Sequence, residues 1–302
     1  KRQVSDKHVR SPGLPGAELT RLSKRDCPTN EDEAKLASSL PFPSLVGCLI
    51  YAVRTRPDVS FAVSDLAQYM SCWGEKHYKQ AMNVLRYLYH TRHKTLHFRR
   101  GCGEGILRCY VDANYGDSRD AGDNKWRSQG GYLIYVDENL VYWSSKRHKC
   151  VALSSMEAEY VEASRAGQDV LWFRRLLTDL GMPQQKPTLV YEDNEAAISF
   201  SKNHTCHDRS KHIDIRHHWL KQMVSDAHIR LQHISSEFQI ADVMTKYWTT
   251  SVFQNFRDLM LNGVDSHPRN TSILTALTTT TQHTRDSFMN PGGDMMGDVM
   301  CM

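Results

Sequence analysis

Two apolar periods divide this chain. Between residues 34 and 98 apolar side chains recur at helical spacing. Pro57 fits a first helical turn, ahead of Val59, Phe61, Ala62, Val63, Leu66 and Tyr69. Glu75 to Thr91 then carries Ala81, Val84, Leu85 and Leu88, and Ser44 to Val53 is a shorter apolar stretch. Gly101, Gly103 and Gly105 mark a boundary, after which the period changes. Ile106 to Ala113 reads as a strand, and Gly130 to Val136 with Leu140 to Ser144 as a hairpin turned at Asp137-Glu138-Asn139. Ser155 to Leu180 is a long helix stopped by Gly181, with Pro183 beyond. A strand (Thr188 to Glu192), two helices (Asn194 to Lys202, Ile213 to Ser225), a strand (His228 to Ile234) and a short helix (Gln239 to Lys246) follow. This order predicts an α/β layer around a mixed sheet whose first strands form a meander. Residues 1 to 33 are polar and rich in Pro and Gly, and are expected to be a linker. Residues 265 to 302, with Thr278 to Thr281 and Pro291-Gly292-Gly293, are expected to be a disordered tail.

Composition adds little beyond a soluble class. The 302 residues are 40% hydrophobic and 24% charged, enough for a real core. A net charge of +4 is weak support for a nucleic-acid partner, so the placement of charge matters more. Eight cysteines without a Cys-x-x-Cys pair suggest free thiols in a reducing compartment. No apolar run reaches membrane-spanning length, and no secretory signal opens the chain. It begins at Lys1 without an initiator Met, as a piece of a longer product would.

Four acidic residues stand in short motifs of their own. They are Asp112 in Tyr110-Val111-Asp112-Ala113-Asn114, Glu157 in Leu153-Ser154-Ser155-Met156-Glu157-Ala158-Glu159-Tyr160, Asp193 in Tyr191-Glu192-Asp193-Asn194, and Asp242 in Ile240-Ala241-Asp242-Val243-Met244-Thr245-Lys246. Two close strand-like runs, one opens the long helix and one lies in a short helical run. Carboxylates gathered from such places hold divalent metal beside a phosphate. The pattern points to metal-dependent cleavage of a nucleic-acid strand.

Each acid also has an ordinary use. Asp112 fits a strand-end turn. Ser154 and Glu157 fit a capping box, the commoner role for that pair taken alone. Glu159 is then the alternative carboxylate and Glu162 a weaker one. Asp193 fits a helix N-cap, although Asn194 can fill that role instead. Asp242 fits a solvated helix face. A polymerase Tyr-x-Asp-Asp turn is excluded, because Ala113 stands in the second carboxylate position.

Basic residues cluster twice. The His-rich stretch 204 to 218 matches no standard zinc spacing. Its Arg209, Lys211 and Arg216, with Lys221, read as a basic helix facing phosphates, or equally as a charged solvent face. Trp143 to Lys149 reads as a basic turn in which Trp143 either stacks on a nucleic-acid strand or belongs to the core.

Taken together, these residues resemble the ribonuclease H domain of copia-type LTR retrotransposon polyproteins. The resemblance rests on the four acidic motifs, on Trp143-Ser144-Ser145-Lys146 and on Lys211-His212-Ile213-Asp214-Ile215-Arg216. Upstream, Leu22-Ser23-Lys24, Ser44-Leu45-Val46-Gly47, Thr55-Arg56-Pro57-Asp58 and Val84-Leu85-Arg86-Tyr87-Leu88 resemble the segment that follows the polymerase palm. The resemblance implies an RNase H-like mixed sheet with flanking helices over 104 to 248. It also implies a small all-α remnant of the reverse transcriptase over 34 to 100. The implied activity is hydrolysis of the RNA strand of an RNA–DNA hybrid, with two magnesium ions and manganese as an alternative. Asp112 would bridge both ions, Asp242 would serve the one that activates water, and Glu157 and Asp193 would hold the other. Lys146, Arg209, Lys211 and Arg216 would contact the hybrid. Further expected partners are the rest of the polyprotein, and no membrane. The expected location is cytoplasmic, within a virus-like particle, or nuclear.

Some positions depart from the family. Asn114-Tyr115 stands where it has Asp-Trp, Gly130 where it has Ser, and Tyr247 where it has Pro. The stretch Ser235 to Gln239 lacks the His found in cellular ribonucleases H, although His233 is near. The second reading is therefore a retroelement relic that binds nucleic acid or a protein without cleaving. An integrase of the same fold is disfavoured by a Glu on the first long helix with another Asp at the last one. With no polymerase palm, DNA synthesis by this chain alone is not expected.

Overall fold

The computed structural model describes residues 22–100, 105–116, 126–202 and 211–262, with side chains in the last stretch described from residue 218 on. Two short helical elements begin inside the stretch expected to be a linker. A 3-10 turn spans Lys24–Asp26 and α1 spans Glu31–Ser39. Ser23 and Asn30 cap them: Asn30 Oδ1 accepts the Glu33 N–H at 2.9 Å, and Asp26 Oδ2 accepts the Ser23 N–H at 2.9 Å. An N-cap residue with an acid three positions on is a helix-start signal, and it outweighs the polar composition. The helices α2 (Phe42–Ala52), α3 (Ser60–Ala67) and α4 (Glu75–His90) follow, with a 3-10 turn at Pro57–Val59. The expected tail from 265 and the Gly101 and Gly103 end of the boundary lie outside the described residues.

Strands β1 (Leu107–Asn114), β2 (Gln129–Val136) and β3 (Asn139–Arg147) form the expected antiparallel meander. Next comes α5 (Ser155–Asp179), then β4 (Thr188–Glu192), α6 (Glu195–Lys202), α7 (Lys211–Ser225) and β5 (Ile229–His233). Strand β4 runs parallel to β1 and β5 parallel to β4, giving the order β3-β2-β1-β4-β5. This is the mixed sheet with flanking helices that the resemblance implies. The expected basic turn at Trp143 to Lys149 is mostly strand, because β3 runs on to Arg147. Trp143 is tied to the helical segment, its indole N–H donating to Val53 O at 3.1 Å.

Side chains alternate across the sheet. Leu107, Cys109, Val111, Ile134, Val190, Ile229 and Leu231 pack on one face against Tyr160, Ala163, Ala166, Val170 and Leu177 of α5. Tyr110, Leu133, Tyr135 and Tyr191 face the other way, into one continuous core with Val46, Leu49, Leu66 and Val84. A further helix, α8 (Thr250–Asn262), completes this core with Phe253, Phe256 and Met260. α8 lies outside the elements expected from the sequence, although Val252, Phe253, Phe256, Leu259 and Met260 have helical spacing.

A shared core has a consequence for dissection. A fragment of residues 104 to 248 lacks α2, α3, α4 and α8, so it leaves much of the second face of the sheet uncovered, with only the Ile240–Met244 turn still on it. Each large side chain so exposed forfeits roughly 1.5–3 kcal/mol, against a typical domain stability of about 5–15 kcal/mol. This fragment should show no cooperative thermal transition by circular dichroism, whereas residues 22 to 262 should show one. A sharp transition in the shorter fragment would contradict the shared core.

Candidate metal centre

Strands β1 and β4 pair only at Arg108–Leu189, Cys109–Val190 and Tyr110–Tyr191. Beyond that they part, and the Gln239 amide spans the fork, donating to Val111 O at 2.9 Å and to Tyr191 O at 3.4 Å. The carboxyl ends of parallel strands are where open α/β sheets bind ligands. Asp112 stands on one arm of the fork and Asp193 just past the other.

The neighbour of Asp112 across β2 is Gly131. A Cβ there would lie 2.3 Å from Met244 Cβ and 3.2 Å from the Met244 backbone. The missing side chain lets the 3-10 turn Ile240–Met244, which carries Asp242, rest on the sheet. Ser145 Oγ holds this turn by donating to Met244 O at 2.6 Å. Thr245 then donates its hydroxyl to Asp112 Oδ2.

Ligand oxygens of Asp112, Glu159 and Asp193 lie within 4.8 Å of one another. Two of these acids are the sequence candidates. The third is not Glu157. Its Oε2 accepts the Leu153 N–H at 2.7 Å, while its own N–H donates to Ser154 Oγ at 3.1 Å. Glu157 is spent on capping α5. Glu159, two positions on and about 200° round the helix, faces the fork instead. Glu162 is also engaged, buried against His148 Nε2 at 2.9 Å and Arg165 Nη1 at 2.6 Å.

Asn194 caps α6, taking the Ala196 and Ala197 N–H groups at 3.0 and 3.2 Å. That leaves Asp193 to the cluster, with Ser236 Oγ donating to it at 2.8 Å. Asp242 lies beside the three, within hydrogen-bonding reach of Asp112 and 2.8 Å from Lys246 Nζ. Two contributors went unassigned in the sequence. Glu192 is fully buried beside the cluster, its Oε1 accepting the Asn194 N–H at 3.1 Å. Gln239 carries no sequence mark of its wedge role.

Burial dominates the electrostatics. It raises the Asp112 carboxyl, opposed by Lys246 and Thr245 and reinforced by Asp193. Glu159 is pushed well above the carboxylate range by burial and then by the charges of Glu192, Asp112 and Asp193. Asp242 is pushed up to about 7 by burial and then by Asp112. Glu159 Oε2 is buried with no hydrogen-bond partner among the described residues. An acid-rich, all-oxygen set with an orphaned oxygen fits a hard divalent cation.

The sign of the pH effect follows. Unfolded Asp242 would ionise at about pH 3.9, below its folded value, so the folded chain holds the extra proton between the two. In chelator, this group's contribution to stability is therefore complete below about pH 4 and is lost as pH rises towards about 7. The loss is up to about 1.4 kcal/mol per pH unit. Melting temperatures of wild type minus Asp242→Asn, measured from about pH 5 to about pH 7.5, should fall with pH in chelator and flatten with divalent cation. A difference flat in both conditions would contradict the coupling.

The expected nucleic-acid contacts are only partly described. Lys146 is exposed near the end of β3, opposite Gly130. Arg209 lies outside the described residues, as do the side chains of Lys211 and Arg216 on α7.

No protein-family model matches the chain. It is 38% identical over 256 residues to the retrovirus-related Pol polyprotein from transposon TNT 1-94 of Nicotiana tabacum, covering 84% of this chain and 19% of that one. It is 33% identical over 253 residues to the retrovirus-related Pol polyprotein from transposon RE1 of Arabidopsis thaliana, covering 84% and 16% respectively. The chain spans less than a fifth of the length of these relatives. Among solved structures it is similar to LC11 ribonuclease H1 isolated from compost, at 19% identity and a TM-score of 0.35 over 47% of this chain and 93% of that one.

Proposed function

Because the chain belongs to the retrovirus-related Pol polyproteins of transposons, we propose that it is a copia-type ribonuclease H that cuts the RNA strand of RNA–DNA hybrids. The observation that carries this reading is the convergence of Asp112, Glu159 and Asp193 at the fork of the sheet, with Asp242 beside them. Asp112, Glu159 and Asp193 would hold magnesium, and Asp112 with Asp242 a second ion, manganese serving as the alternative. Bound there, such ions supply Lewis-acid activation of water and neutralise charge on the scissile phosphate and the leaving oxygen.

The protein's own part is positioning. Thr245 orients Asp112 by its hydrogen bond, and Gln239 holds the two strand ends apart. Lys146, Arg209, Lys211 and Arg216 would hold phosphates of the hybrid. Discrimination for RNA would come from contacts to 2′-hydroxyls. The helical segment 34–100 reads as the end of the polymerase, kept as a packing partner of the sheet. The remaining polyprotein is the proposed partner, in a cytoplasmic virus-like particle or the nucleus.

The test uses the purified chain and a labelled hybrid in magnesium. The RNA strand should be cut and the DNA strand left whole, with no cutting in chelator. Salt-sensitive binding without cleavage, in magnesium and in manganese, would favour the relic that only binds.

A further inference from the structure

Lys246 has no part in the proposed reaction so far. It leaves the turn four residues after Asp242, and its Nζ lies 2.8 Å from Asp242 Oδ1. The Asp242 side chain is 1% exposed, whereas that of Lys246 is 39% exposed. The ammonium also feels the charges of Asp112 and Asp193, and it sits 5.1 Å from the centroid of the Trp248 ring. Three acids thus gather at spacing suited to one cation, and the fourth is held by a cation of the protein itself.

We propose that Lys246 is a positioning residue whose ammonium stands in for a divalent cation at Asp242. A second ion then enters only when the partly exposed Lys246 swings outward. This inference rests on the reading of the acid cluster as a divalent-cation site. It predicts unequal sites: one ion held by Asp112, Glu159 and Asp193 without competition, and a weaker one that displaces Lys246. Opposing a doubly charged ion with a resident positive charge at contact distance weakens binding substantially even under surface screening.

Manganese binding to the full chain, followed by calorimetry and by electron paramagnetic resonance without any nucleic acid, tests this. Wild type should bind one ion tightly and a second weakly. Lys246→Met keeps the stem and removes the charge, so its second site should tighten at least about tenfold, while the first changes little. Lys246→Arg keeps the charge and should retain the weak second site. A purely structural lysine would instead weaken or leave unchanged the binding in Lys246→Met, and that result overturns the proposal. If Lys246→Met fails to fold, Lys246→Gln carries the same comparison. Binding of no ion by wild type would overturn the cation reading itself and this inference with it. Normal binding that is indifferent to Lys246 would overturn this inference alone.

Discussion

Asp112→Asn should lower hybrid cleavage at least about a thousandfold, on the order of 4 kcal/mol of barrier, while hybrid binding in chelator stays near wild type. Asp112 belongs to the three-acid cluster and is within hydrogen-bonding reach of Asp242, so it serves both proposed ion positions. An amide has nearly the same shape, but it carries no charge for either ion. On the proposed reading binding would rest on a different set, the basic side chains expected to meet phosphate, and would weaken with salt. The same change removes one of several mutually repelling buried acids, so the variant should melt higher than wild type in chelator. Cleavage rates, hybrid binding and melting curves on one preparation check all three outcomes. A variant that still cleaves at more than about a tenth of the wild-type rate, a barrier increase of less than about 1.4 kcal/mol, would remove Asp112 from the reaction.

The second large effect separates two glutamates that lie two residues apart. Glu159→Gln should lose at least about a hundredfold in cleavage, about 2.7 kcal/mol. Its carboxylate is the helix's contribution to the cluster, and no other acid of the α5 start faces the fork. Glu157→Ala should cleave within a few-fold of wild type but lose about 1 kcal/mol of stability. That loss reflects the Leu153 N–H, which Glu157 now satisfies at 2.7 Å. Measured side by side, kcat/KM should drop for the first variant and melting temperature for the second. The reverse pattern would restore Glu157 as the ligand.

The contrast shows which parts of this molecule could be read in its sequence. Strand alternation and glycine stops located the sheet, because period and punctuation are local properties of the chain. Asp112 and Asp193 were legible for the same reason, since each ends an apolar strand. The choice between Glu157 and Glu159 was not. Both sit in one turn of one helix, and only the direction in which α5 crosses the sheet decides which faces the fork. Gln239 was invisible because its role exists only where β1 and β4 part. The start of α1 and all of α8 carried readable signals, a cap with an acid three residues on and a helical apolar stripe, but polar surroundings masked them.

Gly131 carries a consequence for how such elements decay. The space above it is filled by Met244, so even one methyl group must push the Asp242 turn away from Asp112. Overpacking of this kind costs typically about 1–3 kcal/mol, and the backbone shifts to relieve it. Every carboxylate would survive such a change, yet the two that must act together would be levered apart. On the proposed reading, a copy of this domain would lose cleavage with its acids intact, so the missing side chain opposite the first aspartate matters to the site as much as the acids do.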